Sequence, residues 1–139
     1  MSTLPLIAHH RPDAVVAWRG STPVSVRQFL GEVAHVAVQL PPGRHVLNLC
    51  GDRYRFTVAL AACIVSGRIS LLPSTHTPEM VRQMQRIAPD VFCIVDQGGG
   101  VELPTFRYPE SVPPPGADHA IPVIDREQVI ALVFTSGST

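Results

Sequence analysis

The sequence predicts an α/β fold, a mostly parallel sheet flanked by helices, and three observations carry that prediction. Strand-like and helix-like segments alternate from His45 to Val95, the connections between them are short, and the strand segments read as buried apolar runs. With 139 residues, 45% of them hydrophobic and 16% charged, the chain is long enough for one domain with a real core.

In chain order, Met1 to Pro12 is a lead-in with Pro5 and Pro12. Ala14 to Trp18 is a first short strand ended by Gly20, and Thr22-Pro23-Val24 is its hairpin partner, confined to an edge by Pro23. Ser25 opens a helix. Gln28 three residues later completes a capping box, and Val26, Phe29, Leu30, Val33, Ala37 and Leu40 recur at helical spacing until Pro41-Pro42-Gly43 stops it. His45 to Cys50 is a strand, Gly51-Asp52 a turn, and Arg53 to Ser66 a helix with Phe56, Leu60, Cys63 and Ile64 on its inner side. Gly67 suits the left-handed residue that closes such a helix. Ile69 to Leu72 is a strand. Thr77-Pro78-Glu79 then joins a hydroxyl cap, a first-turn proline and a carboxylate, with Val81, Met84 and Ile87 or Ala88 facing inward until Pro89. Val91 to Val95 is the fourth buried strand, and Asp96 to Gly100 a glycine-rich turn.

From about 98 to 125 six prolines break the pattern, which predicts a surface excursion with only short extended pieces. Val129 to Phe134 then reads as a buried strand running into Thr135-Ser136-Gly137-Ser138-Thr139. Those five small residues have phosphate-binding character. Backbone N–H groups approach an anion closely only where side chains are small, and hydroxyls add donors that reorient to fit.

Other chemistry finds little support. Eleven basic residues balance eleven acidic ones, which disfavours nucleic acid and anionic membranes as partners. All eleven are arginine, so the chain has no lysine for a phosphate clamp or a Schiff base. Cys50, Cys63 and Cys93 sit in apolar runs without metal or disulfide spacing and read as free buried thiols of a reducing compartment. The six histidines show no ligand spacing, and no metal site and no catalytic residue is assigned. Gly98-Gly99-Gly100 lacks a dinucleotide spacing and reads as a turn. Arg53 and Arg55 at a helix start read as a solvated turn more readily than as contacts to an outside partner. The start lacks a secretory pattern, and the longest apolar run, Val58 to Val65, falls far short of the roughly 20 residues of a membrane span, so a soluble cytoplasmic protein is expected.

These residues resemble the N-terminal part of adenylate-forming (AMP-binding) enzymes, the superfamily of acyl-CoA synthetases, peptide-synthetase adenylation domains and luciferases. Phe134 to Thr139 is similar to the front of that family's phosphate loop, which continues Gly-x-Pro-Lys-Gly. Val24 to Phe29 resembles its "T-Y-x-E-L" helix start, Val46 to Arg53 its "V-x-L-x-x-x-N-R" strand and turn, and Ala61 to Ile69 with Leu72-Pro73 its "A-x-x-x-A-G-A-x-x-x-P-L" segment. The resemblance implies that residues 1–139 are an N-terminal subdomain fragment of such an enzyme. It implies a parent that uses ATP with Mg to activate a small carboxylic acid as an acyl-adenylate and passes it to CoA or a phosphopantetheine arm. Thr135, Ser136, Gly137, Ser138 and Thr139 would bind the β- and γ-phosphates. The family's loop lysine, adenine motif, ribose acid and C-terminal catalytic lysine have no counterpart here, so the 139-residue chain is expected to be inactive and to need the rest of its parent chain.

A different expectation also fits the residues: a free-standing, non-catalytic α/β module that binds a nucleotide or a protein. On either reading an unfinished parallel sheet would expose an edge and an apolar face, which predicts a homodimer of the isolated fragment.

Overall fold

The structure, a computed structural model, describes residues 2–116 and 119–134. Its elements are β1 (Thr3–Pro5), β2 (Val15–Arg19), β3 (Thr22–Ser25), α1 (Val26–Ala37), β4 (His45–Asn48), α2 (Arg53–Val65), β5 (Ile69–Leu72), α3 (Pro78–Ile87), β6 (Phe92–Val95), β7 (Thr105–Arg107), β8 (Val123–Asp125) and β9 (Ala131–Val133). Five strands form one sheet in the order β7-β6-β4-β5-β9, every neighbouring pair parallel. Two antiparallel pairs, β1 with β8 and β2 with β3, make separate small sheets.

The helices begin where local chemistry satisfies their first amides. Ser25 Oγ accepts from the Gln28 N–H at 3.1 Å while Gln28 Oε1 accepts from the Ser25 N–H at 2.8 Å, a complete capping box. Asp52 Oδ2 accepts from the Arg55 N–H at 2.9 Å, and Thr77 Oγ1 from the Met80 N–H at 3.2 Å with Pro78 in the first turn. α2 closes at Gly67, whose φ of +75° is left-handed, and the Arg68 N–H returns to the Cys63 carbonyl at 2.8 Å.

Alternation along the central strands divides the core in two. Val46, Phe92 and Ile94 face Val58, Ala59 and Ala62 of α2 and, beyond them, Phe29, Val33 and Val36 of α1. Leu47, Leu71, Cys93 and Val95 face Val81, Met84 and Ala88 under α3. The helices therefore cover opposite faces of the sheet, as a parallel sheet with crossover connections demands.

Four details depart from the sequence reading. The inner face of α2 is built on Tyr54, Val58, Ala59, Ala62 and Cys63, whereas Phe56, Leu60 and Ile64 are only half-buried. α2 is apolar nearly all round, so its periodicity carries no contrast, and small side chains win the side where helix and sheet approach closely. The lead-in contains β1, paired with β8 across the chain. The proline-rich excursion contributes β7 to the main sheet, parallel to β6. The final strand is not buried: it spans Ala131–Val133 at the sheet edge, and Val129, Ile130, Leu132 and Val133 are exposed, Val133 at 71%. Its outer side has no strand neighbour among the described residues.

Candidate functional site

In open parallel sheets, ligands bind beyond the carboxyl ends of the strands, where connections leave in opposite directions. Here β4 runs through α2 to β5 on one side, and β5 returns through α3 to β6 on the other. The crevice between β4 and β6 is thus the switch point. It is filled by the protein itself. Asp96, just past β6, accepts the Gly51 N–H on Oδ1 at 2.9 Å and the Asp52 N–H on Oδ2 at 3.0 Å. Burial pushes the Asp96 pKa up, but these two hydrogen bonds, its own backbone N–H and the Arg55 charge outweigh it and hold the carboxyl below its ordinary value of 3.8. Beside it, Asn48 Nδ2 donates to the Phe56 carbonyl at 3.0 Å and its Oδ1 accepts from the Cys50 N–H at 3.2 Å. With the Gly51 and Asp52 amides bound to Asp96 and the Arg55 amide bound to Asp52, a phosphate there would meet two carboxylates. The β4–β6 crevice is a closed joint.

The other end of the same edge is different. β9 lies in parallel register beside β5, with Leu72 opposite Val133, and the Phe134 N–H donates to the Leu72 carbonyl at 3.2 Å. Phe134 packs against the α3-side core. Backbone pairing therefore holds the chain at the carboxyl edge of the sheet up to the residue before the predicted phosphate loop. Thr135, Ser136, Gly137, Ser138 and Thr139 themselves lie outside the described residues.

A second polar cluster gave no signal in the sequence. Glu32 of α1 accepts the Tyr54 hydroxyl on Oε1 at 3.2 Å and the Tyr108 hydroxyl on Oε2. Burial, then the Glu32 charge and hydrogen bonds, push both tyrosine pKa values above their ordinary 10. Arg19 caps the assembly over the Tyr54 ring at 4.9 Å while pairing with Asp52 at 3.2 Å, and Arg55 lies 5.3 Å from the Tyr108 ring centre. Arg55 is therefore an internal cation–π partner, where the sequence suggested a solvated turn. Glu32 and Tyr108 are far apart in sequence, and no local pattern could pair them.

The three cysteines are buried and free. Burial raises Cys50 to about 12 and Cys63 to about 11, so neither is a thiolate near neutral pH. Among the described residues no group of three or more His, Cys, Asp or Glu could hold a metal ion, and no helix is long and apolar enough to cross a membrane.

No family model matches the sequence, and no curated protein does. Solved structures do match. The chain is similar to o-succinylbenzoate CoA synthetase (MenE) from Bacillus subtilis, solved with its acyl-adenylate intermediate, at a TM-score of 0.70 and 16% identity over 99% of this chain and 40% of that one. It is similar to the N-terminal subdomain of NpsA from Klebsiella oxytoca, solved with 3-hydroxybenzoyl-AMSN, at 0.65 and 15% over 91% of this chain and 35% of the other. An acyl-CoA synthetase from Brucella canis matches at 0.60 and 15% over 96% and 33%. The chain spans a third to two-fifths of the length of these structures. It has the α/β fold of the N-terminal subdomain of adenylate-forming enzymes.

Proposed function

We propose that these residues are the N-terminal portion of an ATP-dependent carboxylate-activating ligase. The parent would form an acyl-adenylate from a small carboxylic acid and ATP, with Mg, and transfer the acyl group to CoA or a carrier-protein phosphopantetheine thiol. The observation that carries the reading is the parallel pairing of β9 with β5, which ends at Phe134 on the carboxyl edge of the sheet. Directly after it come Thr135, Ser136, Gly137, Ser138 and Thr139, the hydroxyl loop assigned to the β- and γ-phosphates. The closed β4–β6 crevice supports the same choice, since it leaves the β5–β9 side for an anion. The likeness to the Bacillus subtilis structure solved with its acyl-adenylate intermediate supports this choice of reaction class.

Residues 1–139 on their own are inactive in this reading, because the lysines of the reaction belong to the rest of the parent chain; the parent is cytoplasmic. The exposed apolar side chains of β9 make the isolated fragment a homodimer, to be checked by sedimentation at micromolar concentration, where a monomeric mass would contradict it. ATP–pyrophosphate exchange with a panel of carboxylic acids tests the function. Exchange is expected from the longest reading frame containing these residues and not from the 139-residue chain. Exchange by the short chain alone, or none by the long one with any acid, would overturn the reading.

A further inference from the structure

Two contiguous hollows flank the β2–β3 hairpin. One, of about 320 Å³, is lined by Ile7, Val16, Ala17 and Phe29 with Thr57 on its wall; the other, of about 350 Å³, is lined by Arg19, Gly20 and Asp52. They share Trp18, Arg53 and Tyr54, so together they form one groove with an apolar floor at one end and a charged wall at the other. Trp18, the sole tryptophan of the chain, stands at the junction with 63% of its surface exposed.

The charges along this groove are unevenly used. Asp52 is engaged by Arg19 at 3.2 Å and caps α2 through the Arg55 N–H. Arg19 also lies over Tyr54, and Arg55 over Tyr108. Arg53 alone among these three arginines has no carboxylate or ring partner among the described residues, and it borders both hollows. Of the first amides of α2 behind it, that of Arg55 is already capped by Asp52, and the Arg53 guanidinium is the cation left to meet an anion.

We infer that this groove binds a small amphipathic organic anion, its apolar body on the Ile7–Val16–Ala17–Phe29 floor beside the Trp18 indole and its anionic end on Arg53. An apolar floor rewards a hydrocarbon body in proportion to the area it covers. A neutral ligand would gain no ionic contact from the exposed guanidinium, and an inorganic anion would leave the floor wet. The inference stands independently of the function proposed above.

Because Trp18 is the sole tryptophan, its emission reports on the groove directly. Octane-1-sulfonate, below its micellar range, is expected to give a saturable blue shift of the emission, and octan-1-ol to bind about tenfold more weakly or worse. Arg53→Glu is expected to weaken octane-1-sulfonate by at least about tenfold with the far-ultraviolet circular dichroism unchanged, since an acid in the first turn suits a helix. Thr57→Phe, which fills the apolar end, is expected to weaken the sulfonate and the alcohol alike. A shift that never saturates, equal binding of the neutral alcohol, or undiminished binding by well-folded Arg53→Glu would each overturn the inference.

Discussion

The carboxyl edge of the parallel sheet is finished on one side and open on the other. Between β4 and β6, Asp96 answers the amides of Gly51 and Asp52, and helices cover both faces. At β9 the backbone pairs inward with β5, while Val129, Ile130, Leu132 and Val133 face solvent. The closed side stabilises the fold, and the open side is where a ligand or further structure can add. A shared topology therefore does not make every switch point a binding site, because the residue that follows a strand decides whether the crevice accepts an anion or supplies one.

Substitutions should separate the two sides by their cost. Phe92→Ala in the closed region, where the ring is fully buried against α2, is expected to destabilise the chain by about 3–5 kcal/mol in urea unfolding. A loss below about 1 kcal/mol would mean that this core is looser than described. Asp96→Asn comes next, at about 1.5 kcal/mol near neutral pH, because one of two charge-assisted hydrogen bonds loses its acceptor.

The same variant tests acid sensitivity. The folded pKa of Asp96 lies below its unfolded value near 3.8, so its contribution is fully present above that value and lost as pH falls through the folded pKa. As pH falls from about 5 to below the unfolded value, the wild type should lose more stability than Asp96→Asn. Equal losses would assign acid sensitivity elsewhere.

Ser25→Ala removes one half of the α1 capping box and should cost about 1 kcal/mol, read as a lowered urea midpoint with an unchanged slope. The smallest effect is expected at the open side. Val133→Ser should change stability by less than about 0.5 kcal/mol while shifting the sedimentation of the isolated fragment toward monomer. A large loss of stability there would show that the edge is already packed.

Much of this architecture was legible locally. The cap residues Ser25 and Thr77, the turn at Gly51-Asp52 and the left-handed Gly67 fix helix ends through neighbours within a few residues, and β4, β5 and β6 are apolar runs between such ends. What depends on distant partners was not legible. Thr3–Pro5 is a strand only because Val123–Asp125 lies beside it, and Thr105–Arg107 only because β6 offers an edge between two prolines. The exposure of β9 was missed for the same reason: six apolar residues in a row report what a strand can bury, and the neighbours decide what it does bury. At the site, the hydroxyl-rich stretch Thr135 to Thr139 is a feature of the sequence and lies outside the described residues. The closure of the crevice by Asp96 was not legible, since its carboxylate meets Gly51 and Asp52 only after β4 and β6 pair.

The most direct test of the central claim is to read the source gene in frame through codon 139. On the ligase reading, Thr135-Ser136-Gly137-Ser138-Thr139 continues into Gly-x-Pro-Lys and several hundred further residues, on the order of the extra length a multidomain chain needs. A stop codon directly after Thr139 would contradict the ligase reading and leave a binding module whose open edge at β9 is its working surface.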